Sequence, residues 1–133
     1  MNTSVLFIDT AHPFLEEELT RLGFNCVHTP FNDRDEILAQ AGEAEGIVIR
    51  SKIKLDHDAI NKAPKLKFIA RVGAGMENID QAYAESKGIV CLNAPEGNRD
   101  AVGEHAIGML LSLLNHLCRV NTEVRNGIWI REG

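Results

Sequence analysis

Two short polar clusters carry residues that could do chemistry. One is Arg50–Ser51–Lys52, and the other is the glycine pair in Val72–Gly73–Ala74–Gly75. Each follows a short apolar run that reads as a strand. A guanidinium beside converging backbone N–H groups suits a small carboxylate or phosphate. The glycines let the backbone pass close to such a ligand. The stretch "RVGAGMENID" also approaches the dinucleotide fingerprint G-x-G-x-x-G. Its third glycine position holds Asn78, however, and the acidic residue wanted roughly twenty residues on is replaced by Asn93. The loop also follows the fourth strand-like run, whereas such a fingerprint follows the first strand of its unit. A small-anion loop is therefore the better reading. Arg50, directly after an apolar strand, favours binding; Lys52 taken alone reads equally well as a solvated loop charge.

Other chemistries fit less well. A phosphoryl-receiver site needs an aspartate at the end of the third strand, where this chain has Arg50, and "DTAHPF" lacks the composition of a flavin-mononucleotide loop. The five histidines, His12, His28, His57, His105 and His116, have no sequence-local nucleophile or carboxylate pattern. Glu104 reads as a structural carboxylate bonding backbone or orienting the polar turn before it. Cys26, Cys91 and Cys118 are isolated and apolar-flanked, so core packing in a reducing compartment is expected, with no metal site.

The elements that position the clusters follow a βα rhythm. "SVLFID", "FNCVHT", "GIVIR", "LKFIAR" and "IVCLN" read as five mostly apolar strands. The segments between them read as helices, with Pro13 in a first turn, an Asp-led start before "EILAQA", and glycines or Pro64 as terminators. The pattern predicts an open, doubly wound α/β sheet, either flavodoxin-like or half of a Rossmann unit. After the polar turn "NAPEGNRD", one long helix is expected from about Asp100 to Val120, apolar on more than one side. Burying both sides requires a second domain or a second subunit, so the chain reads as cut at a domain boundary.

Composition narrows the partners. With 14 Lys and Arg against 19 Asp and Glu, the 133-residue chain has a net charge of −5. No basic run suits nucleic acid or an anionic membrane, and no apolar run reaches membrane-spanning length. A cytoplasmic protein is expected.

"IVIRSK", "RVGAGMENID" and "NAPEGNRDAVGEHAIGMLL", in this order and spacing, resemble the D-isomer-specific 2-hydroxyacid dehydrogenases, most closely the D-3-phosphoglycerate dehydrogenase branch. The resemblance runs from Gly46 onward. It implies a flavodoxin-like, five-stranded substrate-binding domain over residues 1–98, with an interdomain or dimerisation helix and linker over 99–133. A Rossmann domain binding most of the NAD would follow. By that resemblance Arg50 and Ser51 help hold a 2-hydroxy or 2-keto acid, and the amides of Val72, Gly73, Ala74 and Gly75 grip its carboxylate. Asn98 stands near the junction of substrate and nicotinamide, and Val102 near the nicotinamide ring. Lys52 faces a substrate phosphate, and Arg131 reaches it from the other subunit of a homodimer. Gly103 departs from the alanine usual before the helix glutamate. The family's catalytic Arg, Glu and His follow its Rossmann fingerprint, and no segment here matches them. No catalytic residue is therefore expected in this chain, and no turnover by it alone. The alternative is a non-enzymatic module of the same fold that senses small anions.

Overall fold

The computed structural model describes residues 3–131. Its elements are β1 (Ser4–Phe7), α1 (Pro13–Arg21), β2 (Asn25–His28), α2 (Arg34–Ala41), β3 (Gly46–Ile49), α3 (His57–Asn61), β4 (Phe68–Arg71), α4 (Gln81–Ser86), β5 (Val90–Leu92), α5 (Arg99–Leu114) and α6 (Leu117–Arg125). They form two compact units, one ending at Gly97 and the other starting at Asn98.

In the first unit five parallel strands pair in the order β2-β1-β3-β4-β5. That order is the flavodoxin-like alternative, with its topological switch point between β1 and β3. Alternation along the strands sorts the core. Leu6, Ile8, Ile47, Ile49 and Ile69 face α2, α3 and α4, together with Ile37, Leu38, Ile60 and Ala84. Val5, Phe7 and Val48 face the other way, where α1 supplies Leu15 and Leu19. Gly46 lies opposite Phe68 in the β3–β4 register, and the Phe68 ring occupies the space a side chain at Gly46 would need. The covering is thinnest at edge strand β5, where Val90 and Leu92 are 55% and 50% exposed.

The helix starts follow the sequence logic. His12 accepts the Phe14 N–H ahead of Pro13, and Asp33 accepts the N–H groups of Asp35 and Glu36 at 2.9 and 3.2 Å. Asp56 and Asp80 cap α3 and α4 in the same way.

The second unit departs from expectation. The single long helix is two helices, broken at Asn115–His116. Asn115 turns its side-chain amide back onto the Leu111 carbonyl at 2.9 Å, and His116 takes a left-handed φ of 52°. Asparagine competes with the helix for its own carbonyls, and a left-handed residue ends the run. No residue of α5 is buried, and its apolar side chains point to all sides, with Leu113 71% exposed.

Candidate functional site

The loops leaving β3 and β4 stand side by side at the carboxyl edge of the sheet. Asn78 joins them. Its carbonyl accepts the Leu55 N–H at 2.8 Å and its side chain donates to the Ile53 carbonyl at 3.4 Å. Leu55 and Ile79 pair as a short parallel bridge. The position that fails the dinucleotide pattern is thus the fastener between the two loops.

Three N–H groups of the β3 loop converge on one oxygen. Asp9 Oδ2 accepts from Arg50 at 2.7 Å, Ser51 at 3.0 Å and Lys52 at 3.1 Å. Sequence reasoning passed over Asp9, because nothing local marks it; only the adjacency of β1 and β3 brings it there. The Arg50 carbonyl accepts from Arg71 Nε at 3.3 Å. The Arg50 guanidinium is exposed and has no hydrogen-bond partner among the described residues. Lys52 instead donates its ammonium to the Phe31 carbonyl at 2.9 Å, so it is tied to the loop after β2.

In the β4 loop the four expected amides divide into two pairs. Val72 donates to the Ile49 carbonyl at 2.8 Å and Gly73 to the Arg71 carbonyl at 2.9 Å. Those two are engaged within the protein. Ala74 and Gly75 have no acceptor among the described residues. The Gly73 carbonyl takes the Ala94 N–H at 2.9 Å and the Ala74 carbonyl takes the Asn93 side-chain amide at 2.6 Å. Trans peptides set N–H opposite C=O. The Ala74 and Gly75 N–H groups therefore point away from Asn93 and Ala94, which follow β5. Gly73 has φ 152°, and a side chain there would meet the Arg71 guanidinium; one at Gly75 would meet the Glu77 carboxylate. A flexible, exposed Glu77 can swing aside for a small anion.

The remaining expected residues lie in the second unit. Asn98 precedes α5 with no capping bond from its side chain, and Val102, one turn on, is 58% exposed. Both stand on one helix face. Arg131 is exposed in the segment after α6, beside Glu123 and Val124. A concavity of about 800 Å³ lies between α5 and α6 and is lined by Glu104, His105, Met109, His116 and Cys118 among others. The Glu104 carboxylate has no hydrogen-bond partner among the described residues.

Two histidines do have carboxylate neighbours from other elements. His28 Nε2 lies 2.9 Å from Glu16 Oε2, and His57 Nε2 lies 3.6 Å from Asp80 Oδ2. Both pairs are solvated surface contacts. Cys26 and Cys91 are half-buried as expected, but Cys118 is exposed. Burial, and after it the Glu85 carboxylate, push the Cys91 thiol above its ordinary 9.0. No group of three or more metal-ligating side chains occurs among the described residues.

The family model for the D-isomer specific 2-hydroxyacid dehydrogenase catalytic domain matches residues 5–128. The chain belongs to this family. It is 33% identical over 128 residues to the D-3-phosphoglycerate dehydrogenase of Sus scrofa, covering 96% of this chain and 24% of that protein. It is 34% identical over 125 residues to the Archaeoglobus fulgidus D-3-phosphoglycerate dehydrogenase, covering 92% and 24%. The chain thus spans about a quarter of the length of these curated relatives. Among solved structures, NAD+-bound 3-phosphoglycerate dehydrogenase from Entamoeba histolytica superposes with a TM-score of 0.69 at 28% identity, over 84% of this chain and 39% of that one. The NADPH-dependent glyoxylate/hydroxypyruvate reductase of Sinorhizobium meliloti, in complex with citrate, gives 0.75 at 29% identity over 99% and 41%. As a member of the 2-hydroxyacid dehydrogenases, the chain places Arg131 just beyond the matched residues.

Proposed function

We propose that this chain is the substrate-binding part of an NAD-dependent D-2-hydroxyacid dehydrogenase of the phosphoglycerate type. Its task is to hold the carboxylate of a small 2-hydroxy or 2-keto acid. One observation supports the reading: the Ala74 and Gly75 amides have no acceptor among the described residues and turn away from Asn93 and Ala94, in the loop next to the one that carries Arg50, whose guanidinium has no hydrogen-bond partner among the described residues. Two N–H dipoles and a cation form a complete site for a carboxylate.

Ser51 and Lys52 belong to the same reading as flanking groups. Lys52 meets a substrate phosphate by exchanging the Phe31 carbonyl for it. Asn98 and Val102 present a polar and an apolar group, one turn apart, to the nicotinamide end of a bound NAD, which supplies the hydride acceptor. The bulk of the dinucleotide is held outside these residues. Arg131 reaches the phosphate of a partner's substrate in a homodimer formed through α5, whose unburied apolar surface favours association. Three free cysteines support a reducing, cytoplasmic compartment. No residue here matches the family's catalytic Arg, Glu and His, so the chain by itself turns over no substrate.

The test is an NMR titration of the chain with 3-phosphoglycerate and, separately, with NADH. The expected result is phosphoglycerate-dependent shifts at Arg50–Lys52 and Ala74–Gly75, lost in Arg50→Ala. Shifts in that loop with NADH alone would reverse the reading. Oxidation of NADH by the pure chain with a 2-keto acid would remove the claim that it lacks catalytic residues.

A further inference from the structure

In a sheet of this strand order the β1/β3 switch point leaves a crevice beyond the strand ends, the usual place for a ligand in an open α/β fold. Here protein fills it. Asp9, just past β1, places Oδ2 under three successive N–H groups at 2.7, 3.0 and 3.1 Å. Successive amides turned to one point form a nest for an anion, and the anion is Asp9 itself.

This aspartate is not a helix cap. Asp33, Asp56 and Asp80 each accept N–H groups two or three residues ahead, at the start of their own helices. Asp9 reaches 41 to 43 residues along the chain, to a loop where no helix begins. Nor is it one half of an ion pair. The neighbouring Lys52 ammonium goes to the Phe31 carbonyl, and the Arg50 guanidinium is left without a partner among the described residues.

We infer that Asp9 is a positioning residue for the anion site. Resting on the substrate-binding reading above, it fixes Arg50–Lys52 so that the Arg50 side chain is offered to the β4 loop. It also denies the β3 nest to substrate. An incoming carboxylate is then left only one pair of amides, those of Ala74 and Gly75. Without Asp9 the chain has two competing carboxylate sites side by side, and a substrate settles in two registers.

The experiment uses Asp9→Ala and Asp9→Asn, followed through their backbone amides, with formate and 3-phosphoglycerate as probes. In the parent chain formate moves the Arg50, Ser51 and Lys52 amides only weakly, through its contact with the Arg50 guanidinium. In Asp9→Ala it shifts all three, because it takes the vacated place. Phosphoglycerate binding weakens between about ten- and a hundred-fold in Asp9→Ala. It recovers on adding formate at a concentration that leaves the parent titration unchanged, which a merely structural residue does not allow. Asp9→Asn keeps an acceptor but no charge, and speeds hydrogen exchange at these three amides alone. That second variant decides the matter if Asp9→Ala does not fold. Formate shifts in the parent nest equal to those in Asp9→Ala, or unchanged exchange in Asp9→Asn, overturn the proposal. The formate and exchange arms need no substrate. A parent chain that binds no phosphoglycerate therefore removes the substrate reading while these arms still judge Asp9.

Discussion

The Asn93 side-chain amide donates to the Ala74 carbonyl at 2.6 Å, so the residue just past one strand sets the direction of the loop leaving its neighbour. Asn93→Ala frees that carbonyl and lets the Ala74–Gly75 peptide rotate. With a net hydrogen bond worth about 1 kcal/mol, phosphoglycerate affinity falls roughly five-fold while the thermal midpoint barely changes. Equal affinity in the variant and the parent, read from the same amide titration, would show that the loop holds itself.

The two glycines of the loop are not equivalent. Gly73 combines φ 152° with the Arg71 guanidinium in the space of a side chain, whereas Gly75 faces only the movable end of Glu77. Gly73→Ala therefore destabilises the fold by about 1–3 kcal/mol. Gly75→Ala leaves urea midpoints near the parent value and acts on ligand affinity alone. Equal losses of stability would contradict the assigned contacts.

Acid stability should carry the mark of Asp56. The Ala59 N–H, and after it the nearby charges of Arg34 and Lys54, hold this carboxyl below its ordinary 3.8. A group depressed in the folded state contributes stability above its unfolded pKa and loses it as pH falls through the folded one. Asp56→Asn is thus less stable than the parent at pH 6, and the difference shrinks as pH falls below 3.8. Paired thermal melts at pH 6 and pH 3 decide it. A gap that stays constant would mean the cap acts by geometry alone.

Association through α5 predicts a mass change without unfolding. Leu113, 71% exposed, gains a charge in Leu113→Glu. Sedimentation should show the dimer giving way to monomer, with the helical circular dichroism signal unchanged. A parent chain that sediments as a monomer would discard the homodimer.

The sheet and both loops were legible because their signals are local. Short β-branched runs, Asp-led helix starts and a glycine pair each announce themselves within a few residues. Asp9 was not legible, since "FIDTAH" carries no mark of a partner 41 residues away. The engagement of the Val72 amide depended on Ile49 in the neighbouring strand, and the direction of the Ala74–Gly75 peptide on Asn93, 19 residues from Ala74. The break after Leu114 was hidden differently. Leucines on both sides of Asn115–His116 keep the helical period, while one asparagine bonding back onto its own helix ends it.

Asn78 gives the glycine loop a double life. Replacing it with glycine would complete the G-x-G-x-x-G spelling, and a pattern search would then report a nucleotide site. The same change would remove the side-chain bond to Ile53 and loosen the fastening between the β3 and β4 loops. In this protein the more persuasive motif would be the less competent one.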